Sequence, residues 1–122
     1  MRKSILIIMA MLLSVVGLKA QSISHIETTK NWYYIYDQDG KKTKTLSTTI
    51  GELQGFSASF LVVKSGSWYY IYDANGKKTK TLSESTVGKV LSVSGETFTS
   101  QVGSWIYTWS KEGKKISTRA AR

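Results

Sequence analysis

The stretch WYYIYDANGKKTKTLS, beginning at Trp68, nearly copies WYYIYDQDGKKTKTLS, beginning at Trp32. A worn third version, WIYTWSKEGKKISTRA, begins at Trp105. The three tryptophans lie 36 and 37 residues apart. A period of that size is the mark of a repeat architecture, in which no unit can bury its apolar side alone and neighbours must cover one another. Each unit has the same parts. A leading strand, clearest in FSASFLVVKSG and weaker in SISHIETTK and LSVSGETFTSQVG, precedes the aromatic strand. A Gly-bearing turn (DQDG, DANG, SKEG) and a basic, Thr-rich strand (KKTKTLS, KKTKTLS, KKISTRA) follow it. The segments IGELQG and VGKVLS are candidates for a fourth strand in the second and third units.

The strand assignments rest on alternation and on β-branched and aromatic residues. The turns rest on Asn75–Gly76 and on Gly40 and Gly113 in the same place, where positive φ is cheap. Asp37 and Asp73 stand at the turn entrance, where a carboxylate can accept backbone N–H groups. Absence of Pro suits strands that spend every N–H on a ladder. The expected fold is therefore all-β: three antiparallel repeats of 3–4 strands, pseudo-threefold, built like a β-prism or like propeller blades. Three blades are too few to close a propeller, so that version needs an open edge or a second copy.

The N-terminus reads as an export signal. Arg2 and Lys3 precede the apolar run from Ile5 to Leu18, and cleavage is expected after Ala20. Residues 1–20 are then the signal. Residues 21–122 are a single domain with repeats at about 21–49, 50–86 and 87–122. Removing the signal leaves 14 Lys and Arg against 8 Asp and Glu, a net +6. The expected location is periplasmic, outer-surface or extracellular, with no membrane span after cleavage. There is no Cys, so neither disulfides nor thiolate metal sites are available.

The unit GSWYYIYDANGKK resembles the WG-type repeat, in which a Trp-Gly pair leads into an aromatic-Ile-Asp strand and a Gly turn; here Tyr33, Tyr69 and Ile106 replace that Gly. YDANGK resembles the YD-type repeat of large bacterial surface and toxin shells. The whole unit, FLVVKSGSWYYIYDANGKKTKTLS, is similar in length and rhythm to the repeat of bulb-type mannose lectins, which form a β-prism. Aligned on Tyr72, the lectin sugar strand would fall on Lys64, Gly66, Trp68, Tyr70 and Tyr72, and only the Tyr matches. These resemblances imply a bacterial surface or binding protein and no chemistry.

Nothing reads as a catalytic set. His25 is the one histidine and has no base–orienter partner in the sequence, and the carboxylates are scattered or belong to turns. No enzyme activity, cofactor or metal is expected. Binding is the expected function: a secreted or cell-surface module that recognises a glycan or a protein through repeated, weak, equivalent sites. The alternative is a structural, self-assembling envelope subunit, a homo-oligomer. Specific nucleic-acid readout is not expected.

Two sets of residues carry the binding expectation. The lysines at the hairpin exits, among them Lys42, Lys44, Lys78, Lys80 and Lys115, form a repeated cationic rim for an acidic ligand. The same lysines also read as protection of strand edges against sheet-to-sheet aggregation. On the aromatic strands, alternation puts Trp32, Trp68 and Trp105 with Tyr34, Tyr70 and Tyr107 on one side and Tyr33 and Tyr69 on the other. The tryptophan side is expected to be core, which leaves Tyr33 and Tyr69 as the exposed stacking residues.

Overall fold

The computed structural model describes residues 22–121. The proposed signal, residues 1–20, lies outside the described residues. Among the described residues, eleven strands form three antiparallel meanders. Sheet 1 contains β1 (His25–Thr28), β2 (Trp32–Tyr36) and β3 (Lys42–Ser47). Sheet 2 contains β4 (Glu52–Phe56), β5 (Phe60–Ser65), β6 (Trp68–Asp73) and β7 (Lys78–Ser83). Sheet 3 contains β8 (Lys89–Ser94), β9 (Thr97–Val102), β10 (Trp105–Ser110) and β11 (Lys115–Ala120). IGELQG and VGKVLS do supply fourth strands to the second and third sheets. Among the described residues, helical structure is confined to a 3-10 turn, Thr48–Ile50, and one helical turn, Glu84–Val87, at the sheet-to-sheet crossings. No helix among the described residues is long and apolar enough to cross a membrane.

The three hairpins fold by the same local chemistry. In the first two, the entrance Asp accepts two backbone N–H groups: Asp39 and Lys41 donate to Asp37 (2.9 and 3.0 Å), and Asn75 and Lys77 to Asp73 (2.9 and 3.0 Å). In the third, the Ser110 hydroxyl accepts from Glu112 and Lys114, both at 3.2 Å. Only glycine takes positive φ in these turns; Asn75 does not. One residue past the turn each ladder slips, at Ile35/Tyr36, Ile71/Tyr72 and Thr108/Trp109. The slip leaves Thr43, Thr79 and Ile116 as extra residues, a second bulge beyond the glycine that closes each turn.

The sheets pack face to face in chain order around two apolar clusters. Between sheets 1 and 2 lie Ile23, Ile35, Leu61, Val63, Tyr72 and Ala74. Between sheets 2 and 3 lie Phe60, Val62, Tyr69, Ile71, Val87, Phe98 and Trp109. Sheet 2 is thus buried on both sides, and Phe60–Val63 is fully buried across four successive residues. Such a run is what a strand covered on both faces requires, since successive side chains point to opposite layers. The arrangement is blade-like, with the second sheet as the shared middle layer.

Contacts between sheets repeat from one junction to the next. The Tyr33 hydroxyl donates to the Gly51 carbonyl (2.6 Å) and accepts from the Leu53 N–H (3.1 Å). One unit later the Tyr69 hydroxyl donates to the Gly88 carbonyl (2.7 Å). Each buried phenol therefore latches the start of the next sheet's first strand. At the turn end, the Lys44 stem lies against Gly76 and the Lys80 stem against Gly113 of the following hairpin.

Candidate functional site

Trp32, Trp68 and Trp105 open their strands and are 44%, 47% and 50% exposed. Tyr33 and Tyr69, one residue further on, are 4% and 2% exposed. Both results correct the sequence expectation. By alternation Trp32 lies with Tyr34 and Tyr36 on the uncovered face of sheet 1, while Tyr33 and Ile35 face sheet 2. In sheet 2, covered on both faces, alternation gives no outside, so depth is set by distance along the strand. All three tryptophans sit at the first position of their strands.

Their backbone is nonetheless fixed. The carbonyl just before each tryptophan accepts the N–H where the chain leaves the same sheet's last strand: Thr48 to Asn31 (3.0 Å), Glu84 to Ser67 (2.8 Å) and Ala121 to Ser104 (2.8 Å). In the first unit the turn is also closed by Thr29, whose hydroxyl accepts from the Trp32 N–H at 3.0 Å. Because the junctions between sheets repeat, the three indoles occupy equivalent places and form a row at one end of the stack. Hydroxyl and amide side chains flank it: Asn31, Ser67 and Ser104 precede the tryptophans, and Ser47 and Ser83 lie opposite Trp32 and Trp68 on the neighbouring strands.

The lysines named from sequence lie at the opposite, turn end, and each has a packing role. Lys42, Lys78 and Lys115 hold their ammonium groups 4.2, 4.7 and 4.1 Å from the ring centres of Tyr34, Tyr70 and Tyr107 in their own sheets. At that distance a cation is attracted by the ring face. Lys44 and Lys80 cover the glycines of the next hairpin. The structure therefore separates the two sets of site residues. Lysines and tyrosines consolidate one end, while the free aromatic surface is at the other.

One place breaks the repeat. Ile23, Ser59 and Glu96 are equivalent positions, as are Gln38, Ala74 and Lys111. Between sheets 1 and 2 this corner is filled by Ile23 and Ala74, both buried. Between sheets 2 and 3 it is polar. The Ser59 hydroxyl donates to Glu96 (2.6 Å), and Lys111 pairs with the same carboxylate at 2.7 Å. A cavity of about 160 Å³ opens beside them, with Phe60 and Ile71 as its floor and Asp73, Thr79 and Glu112 on its rim. Hydrogen bonds from Lys111 and Ser59 hold the Glu96 carboxyl below its ordinary range, and the Glu96 bond holds Lys111 above its own. Aligning the repeats position by position exposes this break in the sequence. The tryptophan exposure has no such signal, because the residues themselves are identical in type.

Comparison with protein-family models, with curated proteins and with solved structures finds no match, so the geometry carries the functional reading by itself.

Proposed function

We propose that this chain is an exported or cell-surface binding module that takes a glycan chain along the row formed by Trp32, Trp68 and Trp105. The observation that carries the reading is a set of three half-exposed indoles, one per repeat, on backbone already fixed by hydrogen bonds. Leaving half of a tryptophan in water without a partner forgoes a large apolar contribution, since these side chains dominate core and interface energetics. A pyranose ring presents an apolar face of C–H groups that stacks on an indole, while its hydroxyls meet the neighbouring serines and Asn31. Packed sheets lie about 10 Å apart. An extended polysaccharide would then meet an indole at roughly every second ring. Three weak contacts on one polymer add through effective concentration.

The test is affinity electrophoresis or calorimetry against a panel of soluble β- and α-linked polysaccharides, with Trp32→Ala, Trp68→Ala and Trp105→Ala. Each single change is expected to weaken binding about tenfold, the scale of one tryptophan anchor, and the triple change to abolish it. Thermal stability should stay close to that of the parent. Folded protein that no polysaccharide retards, or retention unchanged in the triple variant, overturns the reading.

The competing reading, an assembling subunit with no small ligand, is disfavoured by the outer faces of the stack. On sheet 1 the free face carries the polar His25 and Glu27 beside Trp32, Tyr34 and Tyr36. On sheet 3 it carries Thr97, Thr99, Gln101, Ile106 and Thr108. Polar outer faces are how terminal repeats avoid stacking on copies of themselves.

A further inference from the structure

We propose that the free edge of β1 is the acceptor for a fourth strand donated by another polypeptide. This inference is independent of the glycan reading. It starts from a mismatch among the units. Among the described residues, sheets 2 and 3 have four strands and sheet 1 has three. The ladders align β1 with β5 and β9, because His25 faces Tyr36 as Leu61 faces Tyr72 and Phe98 faces Trp109. The strand that sheet 1 lacks is therefore the counterpart of β4 and β8.

The backbone of β1 is set to receive it. The Thr29 N–H donates to the Trp32 carbonyl (2.8 Å). By the alternation of an antiparallel ladder, Glu27 and His25 also spend their backbone groups on β2, and those of Ile26 and Thr28 face away. Their counterparts Val62 and Lys64 face β4, opposite Gly55 and Glu52. Lysine protection is missing as well. The far-edge strands β3, β7 and β11 carry Lys42 and Lys44, Lys78 and Lys80, and Lys115 and Arg119. β1 reads His-Ile-Glu-Thr, with neither Lys nor Pro. Edges that must stay unpaired usually carry such guards.

Packing defines the occupant. β4 lies against β8, and Gly55 rests on Val93 so closely that a Cβ there would come within 2.8 Å of the valine methyl. Phe56 holds in β4 the place of Val93 in β8, half-buried at the margin of the cluster between sheets 1 and 2. A strand beside β1 must therefore bring a small residue to Phe56. The two internal examples, Leu53-Gln54-Gly55-Phe56 and Val90-Leu91-Ser92-Val93, share the order aliphatic, any, Gly or Ser, bulky. At the same offset in the sequence, residues 17–20 read Gly-Leu-Lys-Ala, with a lysine in the position of the small residue. The occupant is thus an extended segment of a partner chain with the aliphatic–x–small–bulky order. Main-chain hydrogen bonds supply affinity and the small residue supplies selectivity, as in strand addition generally.

The probe is a synthetic peptide with the sequence of residues 50–57, IGELQGFS, added to the full chain. Amide hydrogen exchange is read residue by residue. Bound peptide should slow exchange at Ile26 and Thr28 at least tenfold, with one peptide per chain, and a peptide carrying Gly55→Lys should not do so. Thr28→Pro removes an outward-facing donor without touching a bond to β2, so the variant should fold and lose the peptide. If that variant does not fold, exchange in the parent chain decides. The proposal is overturned by unprotected Ile26 and Thr28 at saturating peptide, by protection at β7 or β11 instead, or by equal binding of the lysine peptide. Protection of the same two amides by raising the concentration of the chain alone also overturns it, because the occupant is then a second copy.

Discussion

Two tyrosines one position apart show how far environment outweighs residue type. Tyr69 is buried, and its hydroxyl holds the Gly88 carbonyl; burial raises its pKa above the usual phenol range. Tyr70 points to the other side, is half-buried, and serves as the ring under Lys78. Tyr69→Phe leaves a half-buried carbonyl without its partner and should cost about 1–2 kcal/mol. In a domain of about 100 residues each kcal/mol moves the melting temperature by roughly 4–8 °C. Tyr70→Phe deletes an oxygen with no comparable bond and should stay within about 0.5 kcal/mol. Equal melting temperatures for the two variants would refute the latch. The Ser59–Glu96–Lys111 corner gives a prediction in pH. A carboxyl whose folded pKa is depressed contributes stability above its ordinary value of 4.5 and loses it as pH falls through the lower folded value. Denaturation midpoints measured from pH 6 down to pH 3 should therefore fall less steeply for Glu96→Gln than for the parent. Lys111, raised, contributes fully below 10.5 and loses its contribution only above that.

At the scale of the element, identical hairpins are made to differ by what lies on them. Gly40 and Gly113 have almost the same φ, +79° and +82°, but nothing comes within 4 Å of a Cβ at Gly40, whereas at Gly113 the Lys80 stem would meet it at 2.6 Å. Alanine at either position takes on left-handed strain of about 1–2 kcal/mol. Gly113→Ala must also displace the lysine, so in urea it should be the more destabilising of the two. Lys80→Ala should remove the excess, and a double-mutant cycle isolates that term. If Gly40→Ala and Gly113→Ala cost the same, the lysine is not packed there. These hairpins were also the most legible part of the sequence. Aspartate at the entrance, glycine at the bulge and alternating aromatics each act within a few residues, so local rules suffice. The exposed tryptophans were not legible, because their environment depends on which strand ends project beyond the neighbouring sheets. Nor does the sequence mark Lys44 and Lys80 as packing residues. Their partners are glycines a full repeat away, and in the sequence a lysine over a glycine looks like any solvated lysine.

For the whole molecule, the drift between repeats records position in the stack. Ile35 and Ile71 each face a following sheet, and both are buried. Their counterpart Thr108 lies on the outer face of sheet 3, which no further sheet covers among the described residues, so burial does not require an apolar residue there. At the other end, Leu61 and Val63 of sheet 2 correspond to His25 and Glu27 of sheet 1. There the His25 ring stacks on Tyr36 at 4.7 Å and Glu27 accepts the Tyr36 hydroxyl at 3.1 Å. The two ends are therefore finished in polar residues, while the middle sheet is apolar on both faces. This asymmetry predicts opposite outcomes for chemically reciprocal changes. Ile71→Thr removes a buried branch and introduces a hydroxyl between sheets 2 and 3, costing about 2 kcal/mol or more. Thr108→Ile adds apolar surface to an uncovered face and should shift stability by no more than about 0.5 kcal/mol. Because sheet 2 contributes to both clusters, Ile71→Thr should lower the stability of all three sheets together, seen as a single transition by far-ultraviolet circular dichroism and by tryptophan fluorescence. Non-coincident transitions in that variant would show that the sheets are separable units, and a large gain or loss from Thr108→Ile would show that its face is covered.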